Sequence, residues 1–396
     1  MLNFLNIHAE SKSSFIKKTI LNYFVANGNA TIQELAKVVS LSVPTVTKMV
    51  GELLNAGYVN EYGKQETGEG RRPVLYGLNP DSGYFVGVEI KDEMVNMALM
   101  NFRGDIVDME DNCACRIDNT MESVDALCKV VRAFIEKTGV DDDKVHNVLF
   151  CIGGRISADS GYSHTLYNFT EQPLTVLLTE KLGYTSTIEN DTRAYAYGEY
   201  MKGEVHSERN VLFFNVSLGL GLGIIINGEL YAGKSGFSGE IGHMHMFDNE
   251  ILCHCGKKGC LETEASGRAL LRIVSERIKA GETTFLKTKT NGNCTLDEII
   301  EAVNNEDPLC IEAIELVGKT VGEAVANMIN VFNPELVIIG GLLARAGDFL
   351  LQAIKVSVRK YSLNLVNRDT RICLSKLNER GGVIGACLLA RKKVLE

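Results

Sequence analysis

No uninterrupted apolar run long enough to cross a bilayer occurs in the 396 residues. The longest, Val211 to Ile226, is broken by Asn215, Ser217 and three glycines. It is expected as a buried hairpin, because a spanning helix needs about 20 predominantly apolar residues. The N-terminus lacks the basic–apolar–small layout of a secretion signal, which argues against export. A disulfide framework is missing too. The eleven cysteines are odd in number and include a thiolate cluster of metal-ligand type, a usage that fits a reducing cytoplasm. Internal repeats and low-complexity tracts are absent. Hydrophobic content of 45% and charged content of 23% are those of an ordinary folded protein, and the length calls for more than one domain.

The net charge of −9 is unevenly placed. Residues 1–80 carry eight Lys/Arg against six Asp/Glu, while the remainder carries 33 against 44. Any affinity for nucleic acid therefore belongs to the N-terminal end. The pattern there is informative. Phe15, Ile16, Ile20, Leu21, Phe24 and Val25 recur with helical period over 13–27, and Asn27-Gly28 stops the helix. Thr31 with Glu34 three residues later forms a capping box for a second helix. Ser42 caps a third, which runs to Ala56 with Pro44 in its first turn. Tyr58–Tyr62 and Arg72–Leu78 read as two strands around the loop Thr67–Pro73. Three helices and a hairpin make a winged helix-turn-helix over residues 1–80. In that module the third helix enters the major groove. Thr45, Thr47 and Lys48 are the exposed candidates for base edges, with Val46, Met49 and Val50 toward the core. Arg71 and Arg72 in the wing are placed to grip phosphate or enter a minor groove.

Residues 79–84 are turn-forming and mark a boundary. Beyond them strands and helices alternate. Strands are expected at Tyr84–Ile90, Met94–Met100, Asn147–Ile152, Thr185–Glu189, Asn210–Asn215, Gly221–Asn227 and Glu335–Ile339. Helices are expected at Ser123–Lys137 and from Glu262 onward. This is an α/β architecture with clefts at strand ends.

Within it, Gly239-Glu-Ile-Gly-His243 is followed by Cys253-His-Cys255-Gly-Lys-Lys-Gly-Cys260-Leu-Glu262. One histidine and three cysteines at this spacing can close a tetrahedral Zn2+ site, and four protein ligands leave no open position for catalysis. His243 with Cys253, Cys255 and Cys260 is the expected set. His245 and His254 are rivals, and the glycine-rich turn before His243 favours that residue. Cys113-Ala-Cys115 reads as two side chains on one face of a strand.

These pieces together resemble the ROK family of bacterial sugar-responsive repressors and sugar kinases, over nearly the whole chain. The resemblance is carried by Gly70-Arg-Arg-Pro73, Gly153-Gly154, Glu189-Asn-Asp191, Asn227-Gly228, Gly239–His243, the cysteine cluster with Leu261-Glu262, and Gly340-Gly341. It implies a two-lobed actin/hexokinase-like (ribonuclease H-like) domain with a sugar cleft. The small lobe would be 84–195 plus 381–396, and the large lobe 196–380 with the zinc site. It places sugar contacts at Asn190, Asp191, Glu240, His243 and Glu262, with Asp191 matching the kinase general base. Taken alone, Asp191 also suits a helix cap and Glu240 a solvated turn.

The chain departs from the kinase pattern at both phosphate loops. Glu89-Ile-Lys-Asp-Glu-Met94 stands where the family has an acidic residue followed by Gly-Gly-Thr-Lys, and Ser217-Leu-Gly219 replaces Gly-Thr-Gly. Carboxylates repel a polyphosphate and block its approach to the backbone. The expectation is a cytoplasmic repressor that is not an enzyme. It would bind operator DNA as a homodimer or homotetramer and be released by a sugar or sugar derivative. A sugar kinase and a repressor released by a transport-protein partner are the alternatives.

Overall fold

The computed structural model describes residues 12–64, 73–91, 93–286 and 294–396. The chain divides into two compact units, Met1–Glu189 with Ala386–Glu396 and Asn190–Gly385.

The first unit opens with helix α1 (Lys12–Asn27), which buries Ile16, Ile20, Leu21 and Phe24. Strand β1 (Ala30–Thr31), α2 (Ile32–Val38) and α3 (Val43–Asn55) follow. The caps are where the sequence puts them. Thr31 Oγ1 accepts from the Glu34 amide, and the Glu34 carboxylate accepts from the Thr31 amide at 2.8 Å. Thr31→Ala is expected to lower stability by about 1 kcal/mol, measurable as a reduced urea midpoint of this unit. Strands β2 (Val59–Lys64) and β3 (Val74–Leu78) complete a sheet of order β1-β3-β2. Two-residue β1 was not expected, since so short a pairing leaves no alternation to read. The expected turn at 79–84 contains a 3-10 turn, Pro80–Ser82, hydrogen-bonded on both sides. Asn79 Nδ2 donates to Gly57 O at 2.7 Å, and Phe102 N donates to Pro80 O at 3.2 Å.

Next come β4 (Tyr84–Ile90), β5 (Met94–Asn101), β6 (Ile106–Ala114), α4 (Met121–Thr138), β7 (Val145–Ile152), the small hairpin β8 (Ile156–Ser157) and β9 (Tyr162–Ser163), α5 (Leu174–Leu182) and β10 (Ser186–Asn190). The sheet order is β10-β7-β4-β5-β6. Edge strand β6 was anticipated only at its end, around Cys113. Its Asp108, Glu110 and Asp111 spoil the apolar alternation, and pairing with β5 holds it. Cys113 lies in β6, whereas Cys115 falls just beyond its end and is buried.

The second unit contains α6 (Asp191–Lys202), β11 (Val211–Val216), β12 (Leu220–Ile226), β13 (Glu229–Leu230), α7 (Gly267–Lys279), α8 (Leu296–Asn304), α9 (Pro308–Phe332), β14 (Leu336–Gly340), α10 (Asp348–Tyr361), α11 (Asn364–Asn367) and β15 (Arg371–Leu374). Helix α12 (Gly381–Leu395) begins here and continues into the first unit. There Cys387 Sγ donates to Ala98 O at 3.3 Å. The sheet order is β13-β12-β11-β14-β15, and β11–β12 is the expected hairpin. One expectation fails. The helix foreseen from Glu262 starts at Gly267, capped by Ser266, and Glu262 sits in a 3-10 turn, Leu261–Thr263. The Leu261 amide is claimed by Met244 O at 2.8 Å, and Gly267 N donates to Ser217 O at 2.7 Å.

A buried carboxylate anchors α9. Asp307 is fully buried and accepts from the amides of Phe285 (2.8 Å) and Cys310 (3.0 Å) and from Thr284 Oγ1 (2.9 Å). Burial alone would raise its pKa, but these donors outweigh it and hold it below the ordinary aspartate value. Its stabilisation is therefore present above about pH 4 and lost as the pH falls through the lowered folded value. Asp307→Ala is expected to lower the melting temperature at neutral pH and to narrow that gap in acid, measurable by calorimetry from pH 7 to pH 3.

Candidate effector site and metal cluster

Helix α6 starts where β10 ends, and that junction carries two of the candidate residues. Asn190 is the cap: its Oδ1 accepts from the Arg193 amide at 3.0 Å and its Nδ2 donates to Asp191 Oδ1 at 2.9 Å. Asp191 is thus relieved of capping. It accepts from the Thr192 amide at 2.7 Å. Burial pushes its pKa up, opposed by the Thr192 amide and Arg193, while the charge of Glu240 adds to the rise.

Glu240 and His243 are delivered by a segment that only glycine permits. Gly239 has φ +87°, and a Cβ there would lie 1.8 Å from Leu222 O. A Cβ on Gly242 would lie 2.4 Å from Leu220 O. Both glycines thus press the backbone against β12, and a 3-10 turn (Ile241–His243) follows.

The imidazole of His243 faces two ways. Nδ1 lies 3.6 Å from Cys253 Sγ, and Nε2 lies 3.7 Å from Glu240 Oε2. One ring therefore touches the cysteine cluster with one nitrogen and the carboxylate group with the other. Glu262 stands between. It is 6% exposed, with Oε1 3.0 Å from Cys253 Sγ and 2.5 Å from His254 Nδ1.

Ligand atoms of His243, Cys253, Cys255 and Cys260 all lie within 4.8 Å of one another. Cys255 and Cys260 sulfurs are 3.6 Å apart, too far for a disulfide. That spacing matches neighbouring ligands on a tetrahedral ion with bonds of about 2.0–2.3 Å. Cys253 and Cys260 are buried, and the intervening turn is tight: Cys253 N donates to Lys257 O at 2.8 Å around Gly256 at φ +83°. Burial and the Glu262 carboxylate raise the Cys253 thiol, and burial raises Cys260. At Cys255 burial is outweighed by the Lys257 amide and the neighbouring thiols, and its pKa is lowered. The residues present fit a metal ion. His245 instead packs on Gly259, where a Cβ would come within 2.8 Å of its Nε2. His254 belongs with His243 and Glu262 in a second group of donor atoms. Its pairing with Glu262 had no signal in the sequence beyond its place between two cysteines.

On the first unit, α3 buries Val46 and Val50 and leaves Thr47 and Lys48 exposed. Met49, expected in the core, and Thr45, expected to be exposed, are both partly buried. Thr45 Oγ1 is 2.8 Å from Ser42 Oγ, and Thr47 Oγ1 donates to Val43 O at 2.8 Å. Arg71 and Arg72 lie outside the described residues.

Residues 85–393 match the family model described as ROK family, and residues 16–60 match one for winged helix-turn-helix DNA-binding. The chain belongs to the ROK family. It has the winged helix-turn-helix of that family's transcriptional regulators. A xylose repressor of Caldicellulosiruptor bescii is 31% identical over 386 residues, covering 96% of each chain. The crystal structure of a ROK transcriptional regulator, a homologue of the Escherichia coli MLC protein, superposes with a TM-score of 0.83 at 26% identity, covering 97% of this chain and 96% of that one. The ROK fold is shared with enzymes. A ROK glucokinase from Streptomyces griseus, in complex with glucose and AMPPNP, gives a TM-score of 0.69 at 27% identity. It covers 78% of this chain and all of its own.

Proposed function

We propose that this ROK chain is a sugar-responsive DNA-binding repressor of genes for carbohydrate uptake or catabolism, working in the cytoplasm as a homodimer or homotetramer. The observation that carries the reading is a winged helix-turn-helix on the same chain as a group of polar side chains suited to vicinal hydroxyls. Asn190, Asp191, Glu240, His243 and Glu262 supply two kinds of acceptor and a ring nitrogen, which suits paired hydrogen bonds to a polyol. Thr45, Thr47 and Lys48 meet operator bases, and Arg71 and Arg72 hold the backbone. Zn2+ is the ion for the His243–Cys253–Cys255–Cys260 cluster, because three thiolates and an imidazole are its preferred donors. Its role is structural: it fixes two loops and, through Nδ1 of His243, the orientation of the nitrogen offered to the sugar.

Kinase activity is not expected. In the first phosphate loop Asp92 and Glu93 replace a glycine and a threonine of the kinase pattern, Asp92 lying outside the described residues. In the second loop the Ser217 hydroxyl is engaged internally, donating to Asn215 Oδ1 at 2.8 Å and accepting from the Leu342 amide at 3.1 Å. A thermal-shift screen of the zinc-loaded protein against sugars, amino sugars and their 6-phosphates, with and without ATP, tests the reading. One stabilising sugar, indifferent to ATP and lost in Glu240→Ala, is the expected result. ATP-dependent phosphorylation would replace it with the kinase, and no hit at all would favour release by a protein partner.

A further inference from the structure

A buried cation lies beside the effector residues without belonging to them. Arg193, on the first turn of α6, is 2% exposed. A guanidinium so far from water is costly unless its donors are used. One of them reaches across 43 residues of sequence: Nη1 donates to Gly236 O at 2.6 Å. Gly236 sits in the middle of a segment with positive φ at Gly233 (+73°), Gly236 (+83°) and Gly239 (+87°). That segment leads directly into Glu240 and His243. Its far end is fixed to β12, with Leu222 N donating to Gly239 O at 3.0 Å. Its two ends are closed on each other, Ser238 Oγ donating to Tyr231 O at 2.6 Å and Ser238 N to Ala232 O at 3.1 Å. Beyond that closure, the Arg193 bond ties the middle of the segment to α6, the helix that Asn190 caps and Asp191 begins.

We propose that Arg193 is a positioning residue of the effector site: it clamps the glycine-rich segment 233–239 to the first turn of α6, so that Glu240 and His243 keep a fixed spacing from Asn190 and Asp191. The proposal rests on the reading of those residues as the sugar site. A sugar bridging the two sets of polar groups then meets a pre-formed distance and loses little freedom in ordering the segment. Lysine is a poor substitute, because a point ammonium cannot reproduce the planar fork. The closeness of the two sets is also felt at Asp191, whose carboxyl is pushed up by burial and further by Glu240.

The test uses full-length, metal-loaded protein and four variants: Arg193→Met, Arg193→Lys, Gly236→Ala and Glu240→Ala. Gly236→Ala strains the same clamp from the loop side, at φ +83°, without touching the buried cation, so it answers the question if Arg193→Met does not fold. Amide hydrogen exchange of 233–239 is followed without ligand, and D-xylose and D-glucose are the titrated probes. In both clamp variants exchange is expected to rise at least tenfold across 233–239, and affinity for the sugar that binds wild type to fall about tenfold or more. Arg193→Lys is expected to recover only part of either. Wild-type protection of 233–239 in Arg193→Met, or in Gly236→Ala where the former is unfolded, overturns the clamp whichever sugar binds. Faster exchange with undiminished affinity overturns the positioning role. Undiminished binding in Glu240→Ala instead removes the reading of the site on which the proposal stands.

Discussion

Cys260→Ser is expected to reduce bound zinc from about one equivalent per chain to a small fraction and to lower the thermal midpoint by on the order of 5–10 °C. Cys260 is 1% exposed and its sulfur is 3.6 Å from Cys255 Sγ, so the substitution puts a hydroxyl, a weak zinc ligand, where a buried thiolate closes the set. The loops at stake have little apolar content of their own. Leu252, beside the first cysteine, is 68% exposed, and the segment around it depends on a few backbone bonds such as Cys253 N to Lys257 O. On the proposed reading, removing the ion loosens that turn and the Nδ1 side of His243, and sugar binding is expected to weaken as well. Metal analysis with scanning calorimetry checks the prediction. Chelated wild type should melt where the variant melts, and a variant that melts like metal-loaded wild type would remove the structural role of zinc.

Asp191→Asn is expected to separate stability from response. It keeps the size of the side chain and some of its hydrogen bonding but removes the anionic acceptor, so affinity for the effector should fall about hundredfold, as for loss of a charged hydrogen bond. The sugar-free protein should move the other way. Burial raises the pKa of Asp191 above the ordinary aspartate value, so the folded chain holds this proton more tightly than the unfolded chain. Wild-type stability therefore declines as the pH rises from the ordinary value through the raised one. The asparagine variant has no such titration. It should melt higher than wild type near pH 7, with the difference closing toward pH 4. Equal melting at both pH values would show that the carboxyl carries no desolvation cost.

The parts of this molecule that could be read from sequence are those set by local chemistry. Thr31 with Glu34, Ser42 before Pro44, and Gly28 after Asn27 act within one turn, and each is where the pattern places it. The cysteine spacing works in the same way, since short loops constrain which sulfurs can meet. What escaped depends on partners far along the chain. Strand β6 is held by β5 and not by its own alternation. The start of α7 is set by bonds to Met244 and Ser217, so Glu262 falls outside the helix that composition suggested. The division of labour between the two nitrogens of His243 needed the positions of Cys253 and Glu240 together. Arg193 gave no signal at all, because a single arginine in an alanine- and tyrosine-rich helix looks like any surface charge until Gly236 is seen above it.

A sugar-responsive repressor must lose its grip on DNA when its sugar binds. The direct measurement is fluorescence anisotropy of the full-length, zinc-loaded protein on an operator fragment selected from genomic DNA, at one fixed salt concentration, titrated with a panel of sugars beginning with D-xylose. One sugar is expected to weaken operator affinity about 5–150-fold, the range of a coupling of about 1–3 kcal/mol, with the effect lost in Asp191→Asn and the operator still bound. An operator affinity unchanged by every sugar in the panel would contradict the account.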